Sequence, residues 1–174
     1  MSKMSTVRPD QTEYAPYYGK YINLVPEGDI LAALGRQIDD TLALLRSVPE
    51  SQADSRYAPD KWSIKEVIGH LIDAERVFGY RALRFARNDS TSLQGFEQDD
   101  YVRYGGFGEQ SLNDLASEYE HVRRANIFLL RGLSTEAWDR RGMASDNEVS
   151  VRALAYIIAG HELHHMNIIR SKYL

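Results

Sequence analysis

The sequence predicts an all-α protein, a four-helix bundle with a long connection between its second and third helices. Three observations carry this. Apolar residues recur at spacings of three and four along four stretches of about 20 residues. Start and stop signals bracket these stretches. No stretch shows the alternation of a convincing strand. With 174 residues, 43% of them hydrophobic and 26% charged, the chain is long enough for a sizeable core, and residues 1–174 read as one bundle domain.

Residues 1–27 read as an irregular arm. Pro9, Pro16, Gly19 and Pro26 punctuate it, and Tyr14, Tyr17, Tyr18 and Tyr21 crowd together, a pattern that fits tyrosines packed on the body of the fold. The first helix runs from about Asp29 to Val48 on the stripe Leu31, Leu34, Ile38, Leu42, Leu45, and Pro49 ends it. The second starts at Ser63, where Ser63 and Glu66 have the spacing of a capping box. Its stripe is Ile64, Val67, Leu71, Ala74, Phe78, Ala82 and Phe85, and it closes near Asn88. Residues 89–110 form a long polar connection rich in glycine. A connection of that length is functional or is a crossover, and a crossover lets the third helix run in the same sense as the second. The third helix begins at Ser111 and presents Leu112, Leu115, Tyr119, Val122, Leu129 and Leu133. Ser134 caps a short turn, Thr135 to Arg140. The fourth helix follows Ser150 on the stripe Val151, Leu154, Ile158, His161, His165, Ile168.

Composition narrows the function classes. The net charge of −4 gives no basic face for nucleic acid. Cysteine is absent, so there is no disulfide framework, no thiolate metal site and no cysteine nucleophile. No run approaches a membrane span and Met1 to Asp10 lacks a signal-peptide core, which leads us to expect a cytoplasmic protein with no membrane partner.

The histidines carry the chemistry. His161 and His165 are four residues apart on the apolar stripe of the fourth helix, so both imidazoles share one face. His70 falls between Val67 and Ala74 on the second helix, where small Ala74 leaves room. A single histidine on such a face is usually a hydrogen-bonded core residue. Three inward imidazoles with no shared partner would each need a separate one, and a divalent metal with open positions satisfies all three. His121 lies off its stripe and reads as surface. His164 sits on the shoulder of the stripe and, with Asp73 one turn beyond His70, is a candidate to orient a ligand or a water. Both also fit a solvated helix flank.

His161-Glu162-Leu163-His164-His165 also satisfies H-E-x-x-H, in which the glutamate activates a metal-bound water. The missing strand leaves no cradle for a peptide, so Glu162 is kept as a candidate acid–base group and the peptidase reading as an alternative. An all-imidazole donor set suits zinc, nickel, copper or iron(II), with manganese still open.

Two segments resemble the DinB/YfiT-like superfamily. Lys61-Trp62-Ser63-Ile64-Lys65-Glu66-Val67-Ile68-Gly69-His70-Leu71 is similar to its W-S-x-x-E-x-x-x-H helix. Ala159-Gly160-His161-Glu162-Leu163-His164-His165-Met166-Asn167-Ile168-Ile169-Arg170 is similar to its H-x-x-x-H helix. The resemblance implies a four-helix bundle holding one divalent ion, nickel or zinc in many members, on His70, His161 and His165. It implies a frequent homodimer. It also implies transfer of a low-molecular-weight thiol (bacillithiol, mycothiol or glutathione) to a small electrophilic molecule, or isomerisation through a thiol adduct. Chemically, a thiol cosubstrate fits a protein without cysteine, and the same site can activate water for hydrolysis. The alternative from another class is a non-catalytic, stress-associated metal-binding bundle that dimerises.

Overall fold

The structure is a computed structural model that describes residues 7–174; the first six residues of the arm lie outside the described residues. The rest of the arm is less irregular than its composition predicts. Asp10 heads a 3-10 turn, Gln11–Glu13, in a full capping box. A second 3-10 turn, Pro16–Tyr18, has its proline in the first turn, where a missing N–H is harmless. It leads into the single-turn helix α1 (Gly19–Ile22). These turns are too short to show a periodicity. Their order comes from burial, since Tyr21, Ile22 and Val25 are in the core.

The four predicted helices all form, each with a side-chain N-cap. Asp29 caps α2 (Ile30–Ser47), and the Ser63–Glu66 capping box starts α3 (Ile64–Ala86). The long connection holds a short helix, α4 (Gln98–Tyr104), and a 3-10 turn, Phe107–Glu109. Ser111 caps α5 (Leu112–Arg131), and Ser134 caps α6 (Thr135–Asp139), as its position predicts. Ser150 caps α7 (Val151–Ile168), which runs on into a π-turn, Ile169–Tyr173.

Between α6 and α7 the chain departs from the sequence expectation of no strand. Two four-residue strands, β1 (Arg141–Ala144) and β2 (Asn147–Ser150), pair antiparallel with Arg141 opposite Ser150 and Ala144 opposite Asn147. Their turn residues, Ser145 and Asp146, both have positive φ, 52° and 61°, the backbone of a type I′ hairpin without its usual glycine. Leu93, from the long connection, bridges to Ala144 and ties that connection to the hairpin.

The helices form a ring in which α2 packs on α5 and α7, and α3 packs on α5 and α7. Two apolar clusters fill it. One takes the N-terminal parts of α2 and α7 and the C-terminal parts of α3 and α5; the other takes the opposite parts. Helices α3 and α5 therefore run in the same sense, opposed to α2 and α7, and residues 87–111 are the expected crossover. Between the two clusters lies a buried polar layer. Arg123 on α5 donates Nε and Nη2 to the two carboxylate oxygens of Glu75 on α3, at 2.7 and 2.8 Å. It also donates Nη1 to Glu162 on α7 at 2.6 Å, and Thr41 on α2 donates to the other Glu162 oxygen at 2.6 Å. One guanidinium thus joins all four long helices, and it is fully buried. Among the described residues no helix is long and apolar enough to cross a membrane.

Candidate metal centre

At this polar layer α3 and α7 bring the three predicted histidines together. His70 Nε2 lies 3.0 Å from His161 Nε2, which lies 3.2 Å from His165 Nε2. One ring nitrogen from each residue falls within 4.8 Å of the others. A divalent ion about 2.0–2.1 Å from each imidazole nitrogen separates neighbouring nitrogens by about 3 to 3.4 Å, so the His70–His161 and His161–His165 separations fit such an ion. His70 and His161 are buried and His165 is half-buried.

The surroundings keep the imidazoles neutral. Burial pushes the His70 pKa down to about 4. Burial, reinforced by His70, His164 and Lys20, pushes His165 down to about 3. Burial and the neighbouring His165 and His70 hold His161 well below the ordinary value. Neutral imidazole is the form that binds metal.

Aromatic rings frame the cluster. Tyr21 meets His161 edge-on, with ring centroids 5.2 Å apart, and Trp62 lies 4.8 Å from His70. The arm reaches the site because Gly160 has no side chain: a Cβ there would stand 2.1 Å from the Tyr21 carbonyl oxygen. Two cavities meet the triad. One, of about 360 Å³, is lined by His70, His161, Ala74, Phe78, Arg81 and the arm tyrosines. The other, of about 320 Å³, is lined by His165, Trp62, Lys61, Val67 and Tyr173.

The remaining predicted site residues lie elsewhere. Both Glu162 oxygens are engaged, by Thr41 and Arg123, and the glutamate is buried in the polar layer. Burial raises its carboxyl pKa despite the opposing Arg123 charge. Asp73 pairs loosely with Arg76 at 3.8 Å and lines neither of these two cavities. His164 stacks edge-on with Tyr21 and His165, at 5.3 and 5.1 Å between centroids. His121 is exposed, as expected.

Residues 33–169 match the family model of the DinB superfamily. The chain belongs to the DinB superfamily. No curated protein matches it. Among solved structures, this DinB-superfamily bundle is similar to YfiT from Bacillus subtilis, described as a probable metal-dependent hydrolase with an unusual four-helix bundle topology. The TM-score is 0.69 at 13% identity, covering 97% of each chain. It is also similar to the mycothiol-dependent maleylpyruvate isomerase, with a TM-score of 0.67 at 12% identity, covering 83% of this chain and 61% of that one. At such identities the likeness is one of fold.

Against this DinB-superfamily frame, sequence reasoning missed two residues in particular. Arg81 shares the stripe His70, Ala74, Phe78, and that spacing was the signal available for it. Arg123 falls among apolar neighbours on α5, but its charge marks it as a surface residue in any periodicity reading.

Proposed function

We propose that the protein is a metal-dependent thiol transferase: it carries a divalent ion, nickel or zinc, on His70, His161 and His165, and transfers a low-molecular-weight thiol to a small electrophilic molecule. The observation that supports this reading over a closed metal-storage site is the pair of cavities, one on His70 and His161, the other on His165. Two cavities on one centre give a thiol and an electrophile separate ways in.

A divalent ion at such a site lowers the pKa of a thiol or water and polarises an electrophile. The chain's own groups do the rest. The histidines enter the reaction neutral, held so by burial. Trp62, Tyr21 and Phe78 exclude bulk water from the rings, which strengthens every polar interaction inside. We assign Glu162 to positioning: through Arg123 it fixes α7 against α3, and with them His161 against His70. His164 and Asp73 are given outer roles, His164 as a ring beside His165. We place the protein in the cytoplasm, where small thiols are kept reduced, as a homodimer.

Hydrolysis at the same centre is the second reading, favoured by the half-buried position of His165 beside an open cavity. Metal analysis followed by reaction of 1-chloro-2,4-dinitrobenzene with glutathione, bacillithiol or mycothiol separates the two. In transfer, a sulfur–carbon bond forms, chloride leaves with its bonding pair and the thiol proton passes to solvent. Thiol consumption by the metal-bearing protein, lost in His161→Ala along with the ion, is the expected result. A metal-bearing protein that consumes no thiol but hydrolyses ester or amide probes would install the hydrolytic reading.

A further inference from the structure

We infer that Arg81 forms a carboxylate-binding subsite, so that the cavity on His70 and His161 takes a small organic monoanion with a flat apolar body. The inference rests on the metal-dependent reading above for what happens at the triad, but not for the binding itself.

Arg81 is 3% exposed, and arginine keeps its charge in any protein environment. Buried charges are ordinarily paired with an opposite charge. Elsewhere in this chain that rule holds: Arg123 is clamped by Glu75 and Glu162, and Arg152 by Glu13 and Asp139. Arg81 makes no ion pair with any described residue. Its Nη2 donates to the Gln94 carbonyl at 3.0 Å and to Ser145 Oγ at 2.9 Å. These two neutral acceptors fix the guanidinium between the long connection and the hairpin. Its Nε and Nη1 make no well-formed hydrogen bond with a described residue, the Tyr18 hydroxyl standing close enough to feel the guanidinium, and Arg81 lines the cavity on the triad. The residue is therefore held rigidly by one nitrogen, with donors left over for a planar, forked acceptor.

The rest of the lining matches such a guest. Tyr18, Phe78 and Phe96 supply apolar ring surface. Burial raises the Tyr18 phenol against the opposing charge and hydrogen bond of Arg81, so it stays neutral beside the guanidinium. Lys20, over the Tyr17 and Tyr21 rings at 3.9 and 4.8 Å, adds positive charge at the rim. The single lining carboxylate, Glu97, is exposed and unpaired with Arg81. One interior cation suits a single negative charge better than a phosphate dianion. About 360 Å³ lies at the small end of ligand sites. Three helical turns, about 16 Å, separate Arg81 from His70 along α3, and side chains on a helix lean back toward its N-terminus. A guest anchored by its carboxylate on Arg81 thus extends along α3 toward the triad.

The test is isothermal titration calorimetry of benzoate, benzamide and phenyl phosphate into the protein purified with its metal, and into Arg81→Met and Arg81→Lys. We expect saturable benzoate binding, about ten- to a hundredfold tighter than benzamide, as a charge-assisted bond implies. We expect it lost in Arg81→Met and partly kept in Arg81→Lys, with metal content unchanged in both. Benzoate and benzamide binding equally, tighter binding of phenyl phosphate, or benzoate affinity that survives Arg81→Met and disappears only with the metal in His161→Ala would each overturn the inference. If Arg81→Met does not fold, the benzoate–benzamide ratio on the unaltered chain and on Arg81→Lys decides it. Arg81-dependent binding in a protein that transfers no thiol supports the subsite and removes only the transferase reading.

Discussion

The three site imidazoles have folded-state pKa values below that of free histidine, so the unfolded chain binds protons that the folded chain excludes. As pH falls through about 6.5 the unfolded imidazoles protonate first, and stability drains away until the folded ones follow at lower pH. For His70 that window closes at about 4. We expect the melting temperature of the chelator-treated protein to fall between about pH 7 and about pH 4, and to fall less steeply in His70→Gln. A flat profile, or an unchanged slope in the variant, would refute this. Glu162→Gln probes a different role. If Glu162 positions rather than reacts, the glutamine oxygen still accepts from Arg123 and keeps α7 in register, so metal content and thiol turnover hold nearly constant while urea unfolding shows a loss of about 1–3 kcal/mol from the weakened bond. A drop of about two to four orders of magnitude in turnover with the metal retained would restore it as an acid–base group. The histidine cluster was legible in the sequence because four-residue spacing on an apolar stripe converts directly into shared geometry. Arg81 and Arg123 were not, because periodicity sorts charges outward and cannot see the partner, or the cavity, that lets one turn in.

Packing of the arm on α7 depends on Gly160. A methyl group there would meet the Tyr21 backbone at 2.1 to 3.0 Å, and backbone cannot swing aside as a side-chain tip can. Gly160→Ala is expected to lower stability by about 1–3 kcal/mol as α1 is pushed off α7, measured by urea denaturation. It also exposes His161, so diethyl pyrocarbonate modifies the metal-free variant faster than the metal-free parent. Unchanged stability and unchanged modification would show that α1 does not seal the site. The long helices were readable from the sequence to within a residue or two, since Asp29, Ser63, Ser111 and Ser150 each cap where the stripe begins. The hairpin was not. Its strands have four residues each, and Ser145-Asp146 adopts by tertiary constraint the turn that Asn-Gly would announce locally.

For the whole molecule, the parallel α3–α5 pair requires the crossover, and the crossover carries exposed aromatic surface. Tyr104 is 80% exposed, and Tyr101, Tyr17 and Tyr57 are also open to solvent. We expect analytical ultracentrifugation at on the order of tens of micromolar to give a species of about twice the 19.9 kDa chain mass; a sole monomer would exclude the dimer. The crossover was legible as length and polarity, whereas its short helix and its bridge to the hairpin depend on contacts made far along the chain. The same separation governs how the protein matures. His70 and His161 stand 91 residues apart, and α7, with two of the three triad histidines, leaves the ribosome after α2, α3 and α5. Chains fold as they emerge, N-terminal parts first, so His70 waits through the synthesis of α5 and the hairpin with no companion donor. A centre on this triad would form only once α3 and α7 had come together, unlike a zinc finger, whose ligands lie close in sequence. On the proposed reading the ion joins helices that are already assembled, so growth without added metal is expected to lower activity per molecule and leave the yield of folded protein unchanged.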